Sequence, residues 1–407
     1  MVLPHLYELA PCADREPKAA SFSENEDIKK AVESLVKKIY DGKGGIKSDR
    51  SLIKAFARQL MEAMLQGYGK DLESLEYGSA DFNAIDKLTN NIYQFSAAKN
   101  WNELRDMTDA LHDGDRIRTF DEYQTITEPI IGKYNRSWLK TEYSQAIAAS
   151  QCAARWTEFQ GNKKDMPFLQ YVAVMDENTR EEHAKLNGVI KRIDDPFWDK
   201  YYPPNGWGCR CEAIQLSTSK AKETPNGKIQ LPSIPEMFRI NFGKRGLAFP
   251  LGHPYYKQIP DSEWNNLNAD TKHAVNKYYE NKVLEIAQEM GIGKSKDKPF
   301  SIVSDNLRNG EINIYMESIR KCINHVSGYN KMAVISCIKN VVKWEQVPHN
   351  KKDNKKKYEN NSNGEFSKFN YYTLKISNNE LFINVGVSRL TGEEKLYAIK
   401  TKEDKTK

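Results

Sequence analysis

Apolar and polar positions repeat with a helical period over the first 165 residues. Apolar side chains recur every three or four positions from residue 28 to residue 39, and again from residue 52 to residue 65. This spacing places them on one face of an α-helix. A Gly-rich stretch at residues 41–45 ends the first helix, and Ser48 or Asp49 is a candidate N-cap for the second. The same pattern continues in two further stretches, residues 85–95 and 101–111.

A longer helical pattern runs through Trp138, Ile147 and Trp156. Pro129 precedes it, and proline suits the first turn of a helix because the missing N–H needs no partner there. We therefore predict one long helix that begins near Pro129. Its many alanines favour helix and permit the close approach of a neighbouring element.

The pattern changes after residue 165. Residues 168–175 are rich in aromatic and β-branched side chains and predict a strand. The segments that follow predict a turn into a short helix, a compact loop dense in Pro, Gly and aromatics, a polar connector, a helix and a linker, at residues 176–187, 196–211, 217–235, 269–290 and 291–299.

The tail, from about residue 300, has a different pattern of predicted elements. Two helical runs, residues 312–326 and 332–342, precede three strand-like runs, residues 369–376, 381–387 and 396–401. Asn378-Asn379 is a candidate hairpin turn, because Asn tolerates a positive φ. Two helices followed by a β-meander make a small α+β domain.

These patterns together predict a multi-domain α+β protein. We expect a helical N-terminal region, a mixed α/β domain, a helix with a linker, and a basic α+β domain, at residues 1–130, 131–260, 261–298 and 299–407. No stretch approaches the ~20 apolar residues of a membrane helix. Residues 1–11 lack the basic and apolar regions of an export signal. We therefore expect a soluble protein that begins in a cytoplasm.

The net charge of +6 is unevenly distributed. From Lys294 onward there are 22 Lys and Arg against 13 Asp and Glu, a net charge of +9, whereas the preceding 293 residues carry −3. A basic tail favours phosphates or acidic surfaces as partners. A solvated, solubilising surface explains the same charge, so charge alone leaves both interpretations open.

Six cysteines are too few and too scattered for a disulfide framework, but Cys209 and Cys211 form a close pair. The run Pro-Pro-Asn-Gly at residues 203–206 predicts a tight turn just before them. His183 can supply a nitrogen, and Asp176 an oxygen or a bond to the imidazole. We expect both thiols to reach one metal only if the residue between them, Arg210, lies in a bend.

This group of four residues allows more than one interpretation. It has the chemistry of a zinc site, although the cysteine spacing is tighter than the usual two-residue gap. A hydrogen-bonded histidine packed against two buried thiols explains the same residues in a reducing compartment. A catalytic Cys–His pair is disfavoured, because no helix N-terminus is placed to lower a thiol pKa.

The stretch from Tyr134 to Leu216 resembles the Mu F-type phage head morphogenesis domain. The shared pattern is Asp-x-x-Thr-Arg-x-x-His, a Gly, Asp-Pro-Phe-Trp, and Pro-Pro-Asn-Gly-Trp-x-Cys-Arg-Cys, found here at Asp176, Thr179, Arg180, His183, Gly188, residues 195–198 and residues 203–211. A related branch of that family has cysteines at positions 180 and 183, so a four-thiolate zinc site is not implied here. The resemblance implies a non-enzymatic assembly protein that enters the procapsid in few copies with portal and capsid proteins.

The tail is similar to the small barnase, EndoU, colicin and RelE-like nuclease domains fused to phage proteins. That resemblance implies a metal-independent ribonuclease that moves protons with His, Glu or Tyr and stabilises charge with Arg or Lys. The candidate catalytic residues are His349, Lys352, Tyr371 and Arg389, with His325 and Tyr397 as further candidates. The candidate nucleic-acid contacts are Lys351, Lys355, Lys356 and Lys357. A surface histidine and a solvated basic loop are the alternatives.

Three functions remain open from the sequence. The first is a minor capsid protein that acts in head morphogenesis, in the host cytoplasm and then in the virion. Its expected partners are portal and capsid proteins and DNA or RNA, and no membrane partner is expected. The second is a virion-delivered effector with a ribonuclease tail. The third is a zinc-containing nucleic-acid-binding protein.

Overall fold

The computed structural model describes residues 25–42, 44–293, 299–348 and 364–402. The α-helices are α1 (Glu26–Asp41), α2 (Arg50–Tyr68), α3 (Ala80–Asp109), α4 (Phe120–Gly132), α5 (Trp138–Gly161), α6 (Glu181–Ala184), α7 (Phe197–Tyr201), α8 (Phe242–Arg245), α9 (Pro254–Lys257), α10 (Asp261–Glu289), α11 (Met316–Asn324) and α12 (Ala333–Lys339). The strands are β1 (His112–Asp113), β2 (Arg116–Ile117), β3 (Phe168–Val172), β4 (Ile190–Arg192), β5 (Glu212–Leu216), β6 (Phe300–Val303), β7 (Glu311–Ile314), β8 (Glu345–Gln346), β9 (Phe366–Ile376), β10 (Asn379–Ser388) and β11 (Glu394–Lys400).

The chain forms two compact units. The first unit comprises the described residues up to Asp71 together with Ala84–Thr271. The second comprises Leu72–Asn83 and the described residues from Lys272 onward. The multi-domain α+β class predicted from the sequence is confirmed. Among the described residues, no helix has the length and apolar character needed to span a bilayer.

The first two helices begin and bury their apolar faces as predicted. The Asp49 side chain accepts a hydrogen bond from the Leu52 amide (2.9 Å), which satisfies one of the free amides at the start of α2. Ile28, Val32, Leu35, Val36 and Ile39 of α1 are all buried. The next helix, α3, is continuous and covers most of both patterns predicted downstream.

The prediction that a long helix begins near Pro129 is wrong. The helix α4 starts nine residues earlier, where Thr119 and Glu122 form a reciprocal capping box, and Pro129 lies inside it. A π-helical turn, Lys133–Ser137, connects α4 to α5. Proline cannot donate to the carbonyl four residues earlier, and the π turn follows directly. The capping box is the stronger start signal, because it satisfies two backbone amides at once.

A three-stranded antiparallel sheet in the order β4-β3-β5 follows the helices. In its register Phe168 lies opposite both Arg192 and Leu216. The predicted strand at residues 168–175 is confirmed over 168–172 only. It ends at Val172, and Met175, three residues later, adopts a left-handed φ of 58°. The chain then enters the short helix α6.

The second unit contains a six-stranded sheet in the order β6-β7-β11-β10-β9-β8. The three predicted strands of the tail are confirmed as β9, β10 and β11. The predicted helical run at residues 312–326 is wrong at its start, because residues 311–314 pair with β6 as strand β7. The β9–β10 turn also lies one residue earlier than predicted, with the positive φ of 50° at Ser377.

Residues from the N-terminal half complete this second unit. The Tyr77 hydroxyl donates to the Asn330 side chain (2.6 Å), and the two rings of Tyr77 and Tyr329 are stacked. The Ser377 hydroxyl donates to Glu76 (2.5 Å). The segment Leu72–Asn83 is therefore a built-in part of the second unit, a feature that the sequence pattern did not predict.

Candidate metal centre

Three buried side chains meet in the first unit. The Sγ atoms of Cys209 and Cys211 each lie 3.6 Å from Nδ1 of His183. All three residues are less than 8% exposed. Among the described residues they are the one group of His, Cys, Asp and Glu side chains close enough to hold a metal ion together. The structure thus brings together three of the four residues proposed from the sequence.

Short local elements place these side chains. His183 lies on the four-residue helix α6. The two cysteines follow a turn in which the Cys209 amide donates to the Gly206 carbonyl (3.1 Å) and Gly208 has a φ of 65°. A side chain at that φ costs about 1–2 kcal/mol, so Gly fits this position best. The Pro203–Pro204 peptide bond before the turn is cis.

Buried polar groups hold the turn against its surroundings. The Tyr171 hydroxyl donates to the Asn205 side chain (3.1 Å), and the Asn205 amide donates to the Tyr202 carbonyl (3.3 Å). The Arg180 guanidinium donates to the Trp207 carbonyl (2.7 Å). The first of these bonds connects the turn to Tyr171 of β3, and the last connects it to Arg180, which directly precedes α6. These bonds therefore fix the position of the thiols relative to β3 and α6.

The expectation that Arg210 must lie in a bend is wrong. The backbone at Arg210 has no turn or bend, and residues two apart on an extended chain lie on the same face. Cys209 and Cys211 therefore both point inward, while Arg210 points to the opposite side. Its guanidinium makes two bonds of 2.7 Å to the two carboxylate oxygens of Asp176.

Asp176 lies outside the three-residue group. Besides its two bonds to Arg210, its carboxylate accepts bonds from the Asn178 amide and the Thr179 hydroxyl (3.1 Å each). The Arg210 bonds, followed by those from Thr179 and Asn178, hold the pKa of Asp176 well below its ordinary value. Asp176 thus clamps the residue between the two cysteines and fixes the loop before α6. The sequence signal for this clamp is the alternation of inward Cys and outward Arg.

The two thiols differ in acidity. The Cys209 thiol donates towards Cys211 and so lowers the pKa of Cys211, with His183 and Tyr171 acting in the same direction and burial opposing them. The same interaction, together with burial, raises the pKa of Cys209. One sulfur is therefore readily a thiolate, which is the form that binds metal.

The geometry fits a tetrahedral zinc ion. With Zn–S of about 2.3 Å and Zn–N of about 2.05 Å, a tetrahedral site separates sulfur and nitrogen by about 3.6 Å, which is the distance found for both pairs. A cavity of about 10 Å³ adjoins the three side chains. It has room for about one water molecule, and that water can supply a fourth ligand.

Among the candidate residues of the tail that the structure describes, no comparable group forms. Tyr371 lies half-buried in the middle of β9, and the exposed Arg389 follows β10, where its guanidinium lies against the Phe366 carbonyl (3.4 Å). Phe366 is five residues from Tyr371 along an extended strand, about 16 Å. His325 is exposed and Tyr397 is half-buried. The remaining candidates, His349, Lys351, Lys352, Lys355, Lys356 and Lys357, lie outside the described residues. The ribonuclease hypothesis stays a prediction.

The segment that contains the candidate metal centre is similar to known proteins. Residues 103–214 match the family described as Phage Mu protein F like protein. Over 85 residues the chain is 42% identical to "Putative capsid assembly protein F" of Escherichia phage Mu, covering 21% of this chain and 19% of that protein. Over 65 residues it is 49% identical to the Mu-like prophage FluMu F protein of Haemophilus influenzae, covering 16% of each chain.

These alignments span less than a fifth of either relative. No solved structure matches the chain. His183, Cys209 and Cys211 all lie inside the matched segment, as do Asp176 and Arg210. Residues 103–214 are therefore similar to the Phage Mu F-like family, and the three candidate metal ligands lie within this segment.

Proposed function

We propose that this chain is a phage or prophage head-morphogenesis protein. The match of residues 103–214 to the Mu F-like family carries this proposal, and the name of the phage Mu relative describes a role in capsid assembly. The protein acts in the host cytoplasm while the head assembles and then remains in the virion. Its partners in this role are portal and capsid proteins.

The proposal includes a low copy number near the portal and contact with packaged DNA. The net charge of +9 from Lys294 onward supports the second part, because Lys and Arg side chains gain affinity for the phosphate backbone by releasing counterions. Binding of this kind depends steeply on salt and little on base sequence. Salt-dependent binding to duplex DNA by the full chain therefore tests it.

The assembly role is tested in a phage or prophage that encodes the chain. We expect deletion of its gene to stop production of DNA-filled heads, and a plasmid copy to restore them. We also expect the chain to remain with purified particles after free protein has been removed. Normal heads after deletion, or particles that lack the chain, would contradict the proposal.

We propose further that His183, Cys209 and Cys211 bind zinc as a structural brace of the Mu F-like domain. The adjoining cavity of about 10 Å³ admits a water but no substrate, whereas ligand sites generally have about 300–1,000 Å³. Zinc joins α6 to the segment before β5, which are 26 residues apart in the chain. Bound zinc therefore stabilises the folded domain relative to the unfolded chain.

Metal analysis of purified full-length protein tests the brace. We expect about one zinc per chain, and loss of that zinc in Cys209→Ser and in His183→Ala. We expect a chelator to lower the unfolding temperature of the wild type and to leave that of the variants unchanged. Cys152→Ser is the matched control, because Cys152 is a buried thiol outside the group. Absence of zinc from protein expressed with added zinc would exclude this role.

A further inference from the structure

Two buried glutamates share an unusual hydrogen-bond pattern. Glu103 of α3 is fully buried, and its Oε1 accepts a bond from the side-chain amide of Asn135 (2.5 Å). The same Asn135 nitrogen also donates to the Ile131 carbonyl (3.1 Å), which fixes the orientation of the amide. The two remaining oxygens, Oε2 of Glu103 and Oδ1 of Asn135, are buried without a hydrogen-bond donor among the described residues.

The pattern recurs in the second unit. Glu394 of β11 is 2% exposed and Asn370 of β9 is fully buried. The Asn370 amide donates to Oε1 of Glu394. Oε2 of Glu394 and Oδ1 of Asn370 are again buried without a donor in the described part of the chain. Each of the two pairs thus leaves one glutamate oxygen and one asparagine oxygen without a hydrogen-bond donor.

An ionised carboxylate cannot satisfy this arrangement. It has acceptors only, and an acceptor buried without a donor costs about 1–3 kcal/mol. A protonated carboxyl group has one O–H donor, which matches the amide oxygen, while its other oxygen still accepts from the amide nitrogen. One proton on each glutamate therefore removes two unsatisfied atoms from each pair.

We propose that Glu103 and Glu394 are neutral carboxylic acids in the folded protein, each bound to an asparagine by a two-way acid–amide hydrogen bond. The fold therefore takes up protons as it forms. The two pairs, one in each compact unit, therefore make the stability of the folded state depend on pH.

The surrounding charges are compatible with a neutral Glu103. The ammonium of Lys99, which lies near Glu103, forms an ion pair with the carboxylate of Glu142 (2.8 Å). Burial raises the pKa of Glu103 to about 7, while Lys99 and the Asn135 bond act in the opposite direction. The charged and titratable groups that face this site are Lys99, Arg105 and Asp106 of α3, Tyr134 of the π turn and Glu142 of α5.

The surroundings of Glu394 also favour the neutral carboxyl group. Burial raises the pKa of Glu394, and the Asn370 bond, Lys368, Arg308 and the Asn309 backbone amide lower it to a smaller extent. Among the described residues no ion pair joins Glu394 to either cation, and the Arg308 guanidinium donates to the Val347 carbonyl (2.6 Å). Tyr372 also faces this carboxyl group, and its hydroxyl accepts a bond from the Arg308 amide (3.0 Å).

The sign of the pH effect follows from these shifts. A folded-state pKa above the unfolded value gives stability that is complete below the unfolded pKa and is lost as the pH rises to the folded pKa. For Glu103 that window extends from 4.5 to about 7. The unfolding temperature of the full chain is therefore expected to fall across this window and then to level off.

Infrared spectroscopy of the full chain tests the proposal directly. At about pH 6, where exposed carboxyl groups of ordinary pKa are ionised, the wild type is expected to show the carbonyl band of a neutral carboxylic acid. Glu103→Gln and Glu394→Gln are each expected to remove part of the band. Both variants are expected to fold and to depend less on pH, because a glutamine amide offers the donor and the acceptor of the protonated acid. Glu158→Gln, at an exposed position of α5, is the control and is expected to change neither readout.

Three results would overturn the proposal. They are the absence of the neutral band in the wild type, a band that both glutamine variants retain, and failure of both glutamine variants to fold. The last result counts because glutamine reproduces the hydrogen bonds of the neutral acid and not those of a carboxylate.

Discussion

At the scale of single residues, the sequence indicated the side chains of the candidate metal centre but not the role of each. The Cys-x-Cys spacing, the turn before it and His183 were enough to predict the group. The sequence predicts Asp176 as an oxygen ligand or as a hydrogen-bond partner of the imidazole, because it shows a carboxylate but not the side chain that this carboxylate contacts. The partner is Arg210, whose guanidinium engages both carboxylate oxygens. Side chains alternate in direction along an extended backbone. The sequence alone does not show that the backbone is extended at Arg210, so it does not reveal this arrangement.

Asp176 is expected to affect metal binding without touching the metal. The substitution Asp176→Asn removes one of the charge-assisted bonds that hold Arg210, so the two neighbouring thiols lose part of their fixed geometry. Groups that orient metal ligands typically change affinity by about 10–100-fold. We expect zinc affinity, measured by competition with a chelator, to fall about ten-fold.

The control for this prediction is Asp194→Asn, which breaks only an exposed ion pair with Lys163. Exposed pairs of this kind contribute about 0–1 kcal/mol, so zinc affinity should not change. Equal affinities in Asp176→Asn and the wild type would show that the clamp does not orient the thiols.

At the scale of elements, periodic apolar faces were predictable and sites of competing signals were not. The helices α1 and α2 follow from spacing and caps alone. The prediction of a helix start at Pro129 is wrong because proline is compatible with the first turn of a helix and also with the interior of a helix that tolerates one missing backbone hydrogen bond. Residues 312–314 form a strand because they pair with residues of β6 that lie ten to fourteen positions earlier in the chain, and a helical period does not exclude such pairing.

The packing of α2 on α5 gives a prediction that opposes intrinsic helix propensity. Gly67 lies in α2, and a Cβ atom there would be 2.3 Å from the Ile147 carbonyl oxygen and 2.8 Å from its Cα. Alanine in a helix is normally about 1 kcal/mol better than glycine. Here the clash is with backbone, so Gly67→Ala is expected to destabilise the protein by roughly 1–3 kcal/mol.

Gly161 is the matched control at the end of α5. A Cβ atom at Gly161 would meet nothing within 4 Å, so Gly161→Ala is expected to stabilise the protein by about 0.5–1 kcal/mol. Denaturant unfolding of both variants measures the difference. A Gly67→Ala variant as stable as Gly161→Ala would mean that the two helices separate at little cost.

At the scale of the whole molecule, the division of the chain into units was the hardest feature to predict. The class of the tail followed from its three strands. The contribution of residues 72–83 did not, because nothing in their composition indicates a partner some 250 residues later. Tyr77 is 2% exposed, and its contacts with Tyr329 and Asn330 become visible only when the chain is folded.

Tyr77 is expected to hold the second unit together. Tyr77→Ala removes a buried ring and is expected to destabilise that unit by about 3–5 kcal/mol, as large aromatic deletions do. Tyr77→Phe keeps the ring and loses the bond to Asn330, which contributes about 0.5–1.5 kcal/mol. Hydrogen exchange in β9 and β10 measures both effects, and it is expected to accelerate strongly in Tyr77→Ala and weakly in Tyr77→Phe. Unchanged exchange in both variants would show that residues 72–83 do not support the sheet.

The same segment sets a schedule for synthesis of the chain. Tyr77 leaves the ribosome about 250 residues before Asn330, its hydrogen-bond partner. At roughly 5–20 residues per second this interval is about 10–50 s. During that time the Tyr77 and Phe82 rings have no completed binding surface. A tail exchanged between related genes would also need a matching copy of residues 72–83, so the unit of exchange is discontinuous in the gene.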